Sequence, residues 1–256
     1  MPGQFFSPNT ALVLVLGRSE FPFSPKLTSS EIFSRTAAAV VRYLTDQHAF
    51  GLPNDEFHFL NLFNYDASPL DVNRRISKWL AEAQEHAATT GNPTRDLIVY
   101  YIGHGGFTPG GEQAYFLALR STEANNEGIS SLRMTDFART ITREAKTLRR
   151  YLILNCCFAE SAHSIFQSEG GDPANAAHMK ALFDFPERGT ALLCSSSARD
   201  VSIAPKGQQF TMFSGALLDV LATGDDGVAA PLSLVDLGKR VERLIIARYA
   251  DSAVKA

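Results

Sequence analysis

Two short stretches bring together the residue types that open a carbonyl. "YYIGHGGF" (100–107) sets His104 ahead of Gly105 and Gly106, and "LILNCCFAESA" (152–162) carries Cys156 and Cys157. A cysteine nucleophile needs a base to draw off its proton, backbone N–H donors for the oxyanion, and an open approach for the substrate. An imidazole supplies the base. Glycines beside it leave the backbone uncovered, so that an amide there can face a developing negative charge. The chemistry these residues point to is acyl transfer through a thiol.

Other chemistries fit less well. "HGGF" is also similar to the oxyanion turn of lipase-like hydrolases, but these need a G-x-S-x-G elbow downstream and the chain has none. His48, His58, His86, His163 and His178 show no metal-ligand spacing, and three cysteines without a CxxC pair argue against a zinc site, so neither metal nor cofactor is expected. "GDDG" (224–227) is too short for an EF-hand loop and reads as a turn rather than a calcium site.

Positioning these residues takes strands that end near one another. Short apolar runs alternate with amphipathic segments: strands at 11–17, 57–63, 96–103, 149–157 and 189–197, with helices between them. Thr28 and Glu31 have capping-box spacing ahead of a helix whose face carries Ile32, Val40, Val41 and Leu44. Ser68 caps a second helix, Pro69 occupies its first position, Val72, Ile76, Trp79 and Ala83 form its stripe, and "GNP" stops it. "GGFTPGGEQAYFLAL" reads as a hairpin and "MTDFARTITREA" as a helix. Two helices close the chain, at 212–221 and after a cap at Ser233. The alternation predicts an α/β fold: a mostly parallel central sheet of about six strands with helices on both faces. Ligands on such sheets gather outside the carboxyl ends of the strands, where His104 and the cysteine pair fall.

With 256 residues, 45% of them hydrophobic, the chain can bury a full core and reads as one domain over 1–256, the stretch 167–180 being a flexible or processed loop. A net charge of -3 with interspersed signs leaves no electrostatic footprint for nucleic acid or an anionic membrane. "ALVLVLG" is far shorter than the roughly 20 residues of a membrane span, and no Lys or Arg precedes it as in a signal peptide. The odd cysteine count suits a reducing cytoplasm.

His104 and Cys157 stand 53 residues apart, near the spacing of about 50 found in caspases. With "GHGG" after one strand and "NCCF" ending the next, the chain resembles the caspase and metacaspase clan of cysteine peptidases, specifically bacterial caspase-like domains. "LLCSSSARD" and "QFTMFSGALLDVL" extend the likeness over most of the chain. The resemblance implies a caspase-like fold and a cytosolic cysteine endopeptidase acting on protein or peptide substrates. By that match Cys157 is the nucleophile, His104 the base, and backbone N–H groups at Gly105 and Cys157 the oxyanion hole. Side chains alternate along a strand, so only one cysteine of the pair faces the site, and Cys156 is assigned to the core.

The match also implies that Asn155 lines the pocket for the substrate residue before the cut; the loops after strands one and five offer Arg18, Glu31, Arg35 and Asp200, of both signs, as further pocket candidates. Metacaspases carry an acid at the Asn155 position and a small residue with glycine where this chain has Ala159 and Glu160. A basic residue before the cut is preferred to an acidic one on the metacaspase-like look of this strand. Relatives are often joined to or encoded with sensing modules, implying control by a regulatory sensor protein or module. The rival expectation is an inert caspase-like binding module.

Overall fold

The computed structural model describes residues 7–110, 113–162, 165–166, 189–195, 208–223 and 233–249. In chain order the elements are β1 (Ala11–Gly17), α1 (Glu31–Thr45), β2 (Phe59–Phe63), α2 (Pro69–Thr90), β3 (Asp96–Ile102), β4 (Gly105–Phe107), β5 (Tyr115–Leu117), α3 (Glu127–Ser130), β6 (Leu132–Arg133), α4 (Met134–Glu144), β7 (Arg149–Asn155), β8 (Gly189–Cys194), α5 (Met212–Thr223) and α6 (Leu234–Tyr249). Strands β2, β1, β3, β7 and β8 lie side by side in that order, all parallel, and β4, β5 and β6 form a separate antiparallel sheet. Five strands stand in the main sheet among the described residues, against about six expected.

Both faces of the sheet are covered, which is why β1 and β3 are apolar without alternation and buried along their whole length. The pleat divides them. Leu12, Leu14, Leu16, Leu97, Val99, Tyr101, Leu152, Leu154 and Cys156 pack into one core with Trp79 of α2 and Phe137 of α4. Ala11, Val13, Val15, Ile98, Tyr100, Ile102 and Tyr151 face the other, with Val40 of α1, Leu217 of α5 and Val241 of α6.

The helix signals were unequal. Ser68 accepts from the Asp71 N–H as an N-cap should, and Gly91 ends α2 in the left-handed conformation at φ 72°. At α1 the cap is Ser30, which accepts from the Ile32 N–H, not Thr28. Strand β2 begins at Phe59 rather than Phe57, because the Asp55 carboxylate accepts from the N–H groups of Phe57 and His58 and holds them in a turn.

At the amino ends of the strands, Arg149 makes a bidentate pair with Asp96 at 2.6 and 2.7 Å, both side chains almost wholly out of water. At the carboxyl ends the register is level: Gly17 is opposite Ile102, and Ile102 is opposite Asn155. Gly17 is obligatory there. At φ 141° a Cβ on it would stand 1.9 Å from the Ile102 carbonyl oxygen.

Candidate active site

The level strand ends decide which residues meet. His104 lies two positions past Ile102 and Cys157 two past Asn155, on adjacent parallel strands whose last residues face each other. Gly103 seals the junction by donating its N–H to the Asn155 carbonyl at 3.2 Å. One step further, a Cβ on Gly105 would lie 2.6 Å from the Cys157 carbonyl oxygen and 2.5 Å from the Tyr115 hydroxyl. Only glycine allows the two backbones so close.

The His104 ring is half-buried between Phe21, 4.9 Å away between centroids, and Phe33, which it meets edge to face at 5.2 Å. Its Nε2 lies 2.9 Å from the Thr28 carbonyl oxygen. A carbonyl only accepts, so Nε2 carries the hydrogen and a neutral ring keeps its lone pair on Nδ1. Burial among the aromatic rings pushes the imidazole pKa down, and the Thr28 carbonyl opposes this in part. The backbone carbonyl of His104 is itself fixed, accepting from the Tyr101 hydroxyl at 2.7 Å and the Ala118 N–H at 2.9 Å.

The two cysteines occupy different environments. Cys156 is 1% exposed and belongs to the α2/α4 core, where loss of water pushes its thiol pKa far up. Its N–H donates to the Ser195 hydroxyl and its carbonyl accepts from the same hydroxyl, both at 3.0 Å. Cys157 is half-buried, and its carbonyl accepts from the Tyr115 hydroxyl at 2.8 Å. Phe158 follows at φ 56°, turning the chain sharply away, and its ring lies 5.5 Å from that of Phe107.

Asn155, 1% exposed, donates through Nδ2 to the Thr211 hydroxyl at 2.7 Å and the Ser214 hydroxyl at 2.8 Å. Ser214 in turn shares a 2.8 Å hydrogen bond with Tyr100, and the Thr211 N–H donates to Thr36 of α1. Arg35 reaches the same segment, its Nε donating to the Gln209 carbonyl at 3.2 Å while Nη1 pairs with the exposed Glu31. Asn155, Arg35 and, through it, Glu31 thus border one stretch, 209–214. Arg18 does not join them. It donates to the carbonyls of Asn64 and Glu20, at the β2 side of β1, two strands from β7. Asp200, the loop 167–180 and "GDDG" lie outside the described residues.

Nothing in the sequence marks Thr28, Tyr115, Ser195 or Thr211 as part of this site. Thr28 acts through its carbonyl, which every residue has. Tyr115 comes into reach through the β4–β5 register, which pairs it with Phe107. No group of three or more His, Cys, Asp or Glu residues able to hold a metal ion occurs among the described residues.

No curated protein matches the chain. Among solved structures, the crystal structure of protein GSU0716 from Geobacter sulfurreducens aligns at TM-score 0.52 with 16% identity, over 92% of this chain and 89% of that one, a likeness of fold. The family model of the caspase domain, a peptidase family, matches residues 61–251 and so takes in the strands bearing His104 and Cys157. By that match, spanning most of its length, the chain belongs to the caspase-domain family of cysteine peptidases.

Proposed function

We propose that the chain is a cysteine endopeptidase working through Cys157 and His104. The observation that carries this reading is the register of β3 and β7, which pairs Ile102 with Asn155, two residues before His104 and Cys157 respectively. His104 Nδ1 takes the Sγ proton, and the thiolate attacks the carbonyl carbon of the scissile bond. The N–H groups of Gly105 and Cys157 face the resulting oxyanion, a contribution of about 10²–10³ in rate for each well-placed donor. Collapse of the tetrahedral intermediate expels the amine, which takes the proton from Nδ1 as it leaves. Water, deprotonated by the same nitrogen, then attacks the thioester and releases the acyl half, freeing the thiol. The imidazolium formed on the way is held by the Thr28 carbonyl, so no buried carboxylate is needed.

The substrates are proteins or peptides. Asn155, Glu31 and Arg35 border the pocket for the residue before the cut, Asp200 being assigned to it from the sequence alone, with a basic residue preferred to an acidic one. Asn155 brings no charge and Glu31 is paired with Arg35, so the basic preference rests on the metacaspase-like look of the strand bearing Asn155. Control by a sensing protein or module and a cytoplasmic setting complete the reading, the odd cysteine count suiting a reducing compartment. No helix among the described residues is long and apolar enough to cross a membrane.

The rival reading, an inert binding module, rests on the departures at Ala159 and Glu160; Ala159 is fully buried in the core. A peptide electrophile tests the reading. Labelling lost in Cys157→Ala and kept in Cys156→Ala supports it, whereas no labelling under any activating condition favours the module. A peptide library screened with Cys157→Ala as control then identifies the residue before the cut.

A further inference from the structure

Tyr115, on the small antiparallel sheet, has no part in the mechanism above, yet its hydroxyl reaches the backbone of the nucleophile. A phenol has one proton to give, and a carbonyl oxygen only accepts, so the 2.8 Å contact with the Cys157 oxygen uses that proton. The Cys156 sulfur lies 3.2 Å from the same hydroxyl oxygen. A thiol facing an oxygen whose proton is already committed donates its own S–H. Burial favours the protonated form of both groups. The outcome is a directed chain: the Cys156 thiol donates to Tyr115, and Tyr115 donates to the Cys157 carbonyl.

The peptide planes on either side of the Cys157 Cα are therefore each pinned by one hydroxyl. Ser195 holds the plane containing the Cys156 carbonyl and the Cys157 N–H, the oxyanion donor. Tyr115 holds the plane between Cys157 and Phe158. That second plane leads into Phe158 at φ 56°, a backbone conformation that bulky residues seldom adopt unless something fixes it. With both planes held, the direction of the Cys157 side chain is set as well.

We propose that Tyr115, oriented by the Cys156 thiol, is a positioning residue that locks the backbone of the nucleophile. This rests on Cys157 being that nucleophile. Tyr115→Phe keeps the ring beside Phe107, 5.4 Å away, and removes only the hydroxyl. Cys156→Ala removes the donor to Tyr115, and Cys156→Ser replaces it with another.

Four quantities are measured on each variant: kcat and KM on a peptide amide, the rate of Cys157 alkylation by iodoacetamide mapped by mass spectrometry, and the thermal midpoint. Tyr115→Phe is expected to lower kcat about 10- to 100-fold, as a displacement near 1 Å does, with KM within about twofold. Alkylation slows in parallel, Cys156→Ala shows a smaller loss of the same kind, and Cys156→Ser recovers most of it. Native kcat and native alkylation in Tyr115→Phe overturn the proposal; Cys156→Ser as slow as Cys156→Ala overturns the part given to Cys156. If the native chain cleaves no peptide, the peptidase reading fails on that result, while the alkylation ratio still decides this inference.

Discussion

Gly105→Ala is the sharpest single perturbation of the proposed site. The new methyl would stand 2.6 Å from the Cys157 carbonyl and 2.5 Å from the Tyr115 hydroxyl, where ordinary contact begins at 3.4 Å. Something must retreat by about 0.8 Å, and neither neighbour is the loose end of a flexible chain: one is the backbone of Cys157, the other a buried phenol hydrogen-bonded to it. Misplacement on this scale costs about 10²-fold in rate, and displacement of the Gly105 N–H, the proposed oxyanion donor, adds to it. We expect kcat/KM on a peptide amide to fall at least about 10²-fold. Overpacking of about 1–3 kcal/mol lowers the thermal midpoint at about 2–4 °C per kcal/mol for a chain of this size. Gly106→Ala is the matched control, since its methyl meets only the tip of the Phe116 ring at 3.0 Å. A Gly105→Ala protein with native turnover, or one no worse than Gly106→Ala, refutes the close approach of the two strand ends as the basis of the site.

Three further outcomes can be checked. Asp96→Asn leaves the Arg149 guanidinium buried without its counter-charge and should cost about 3–5 kcal/mol in chemical denaturation, as breaking a buried pair does; the folded fraction at low temperature should keep its turnover, because the pair lies at the far end of the sheet. Burial lowers the His104 pKa from 6.5, and the base must be neutral, so the acid limb of kcat/KM should fall off below about pH 6.5; a limb above that value contradicts the desolvated ring. Asn155→Asp places a carboxylate where the Thr211 and Ser214 hydroxyls can turn to donate to it, and the ratio of kcat/KM for Arg over Gln before the cut should rise about tenfold, equivalent to about 1.4 kcal/mol. An unmoved ratio removes Asn155 from the specificity pocket.

The main sheet was legible because its physics is local. Uninterrupted apolar runs at 11–17 and 97–102 mark strands buried on both faces, and Ser68 with Pro69 marks a helix start. Pleat alternation separated Cys156 from Cys157, and the core cluster holds the first as expected. What escaped notice acts through the backbone or through register. Thr28 fitted a capping box by spacing, but Ser30 sits closer to the first turn and took the cap, leaving the Thr28 carbonyl for the imidazole. Tyr115 reads as one more aromatic strand residue until the hairpin register is known. Arg18 looked like a pocket residue because it follows β1, yet the carbonyls that satisfy its guanidinium lie toward β2.

The way Ile102 stands opposite Asn155 frees the intervening chain from any fixed length. The hairpin tip and the chain from α3 to α4 leave from one side of the site and return to the other, so they could grow or shrink without moving His104, Gly105, Tyr115 or the strand ends. A single-residue slip of β7 against β3 would instead swap which cysteine looks toward the ring. Insertions at the hairpin tip near Pro109 and Gly110 should therefore be harmless, whereas deleting one residue inside 149–155 should abolish the proposed activity.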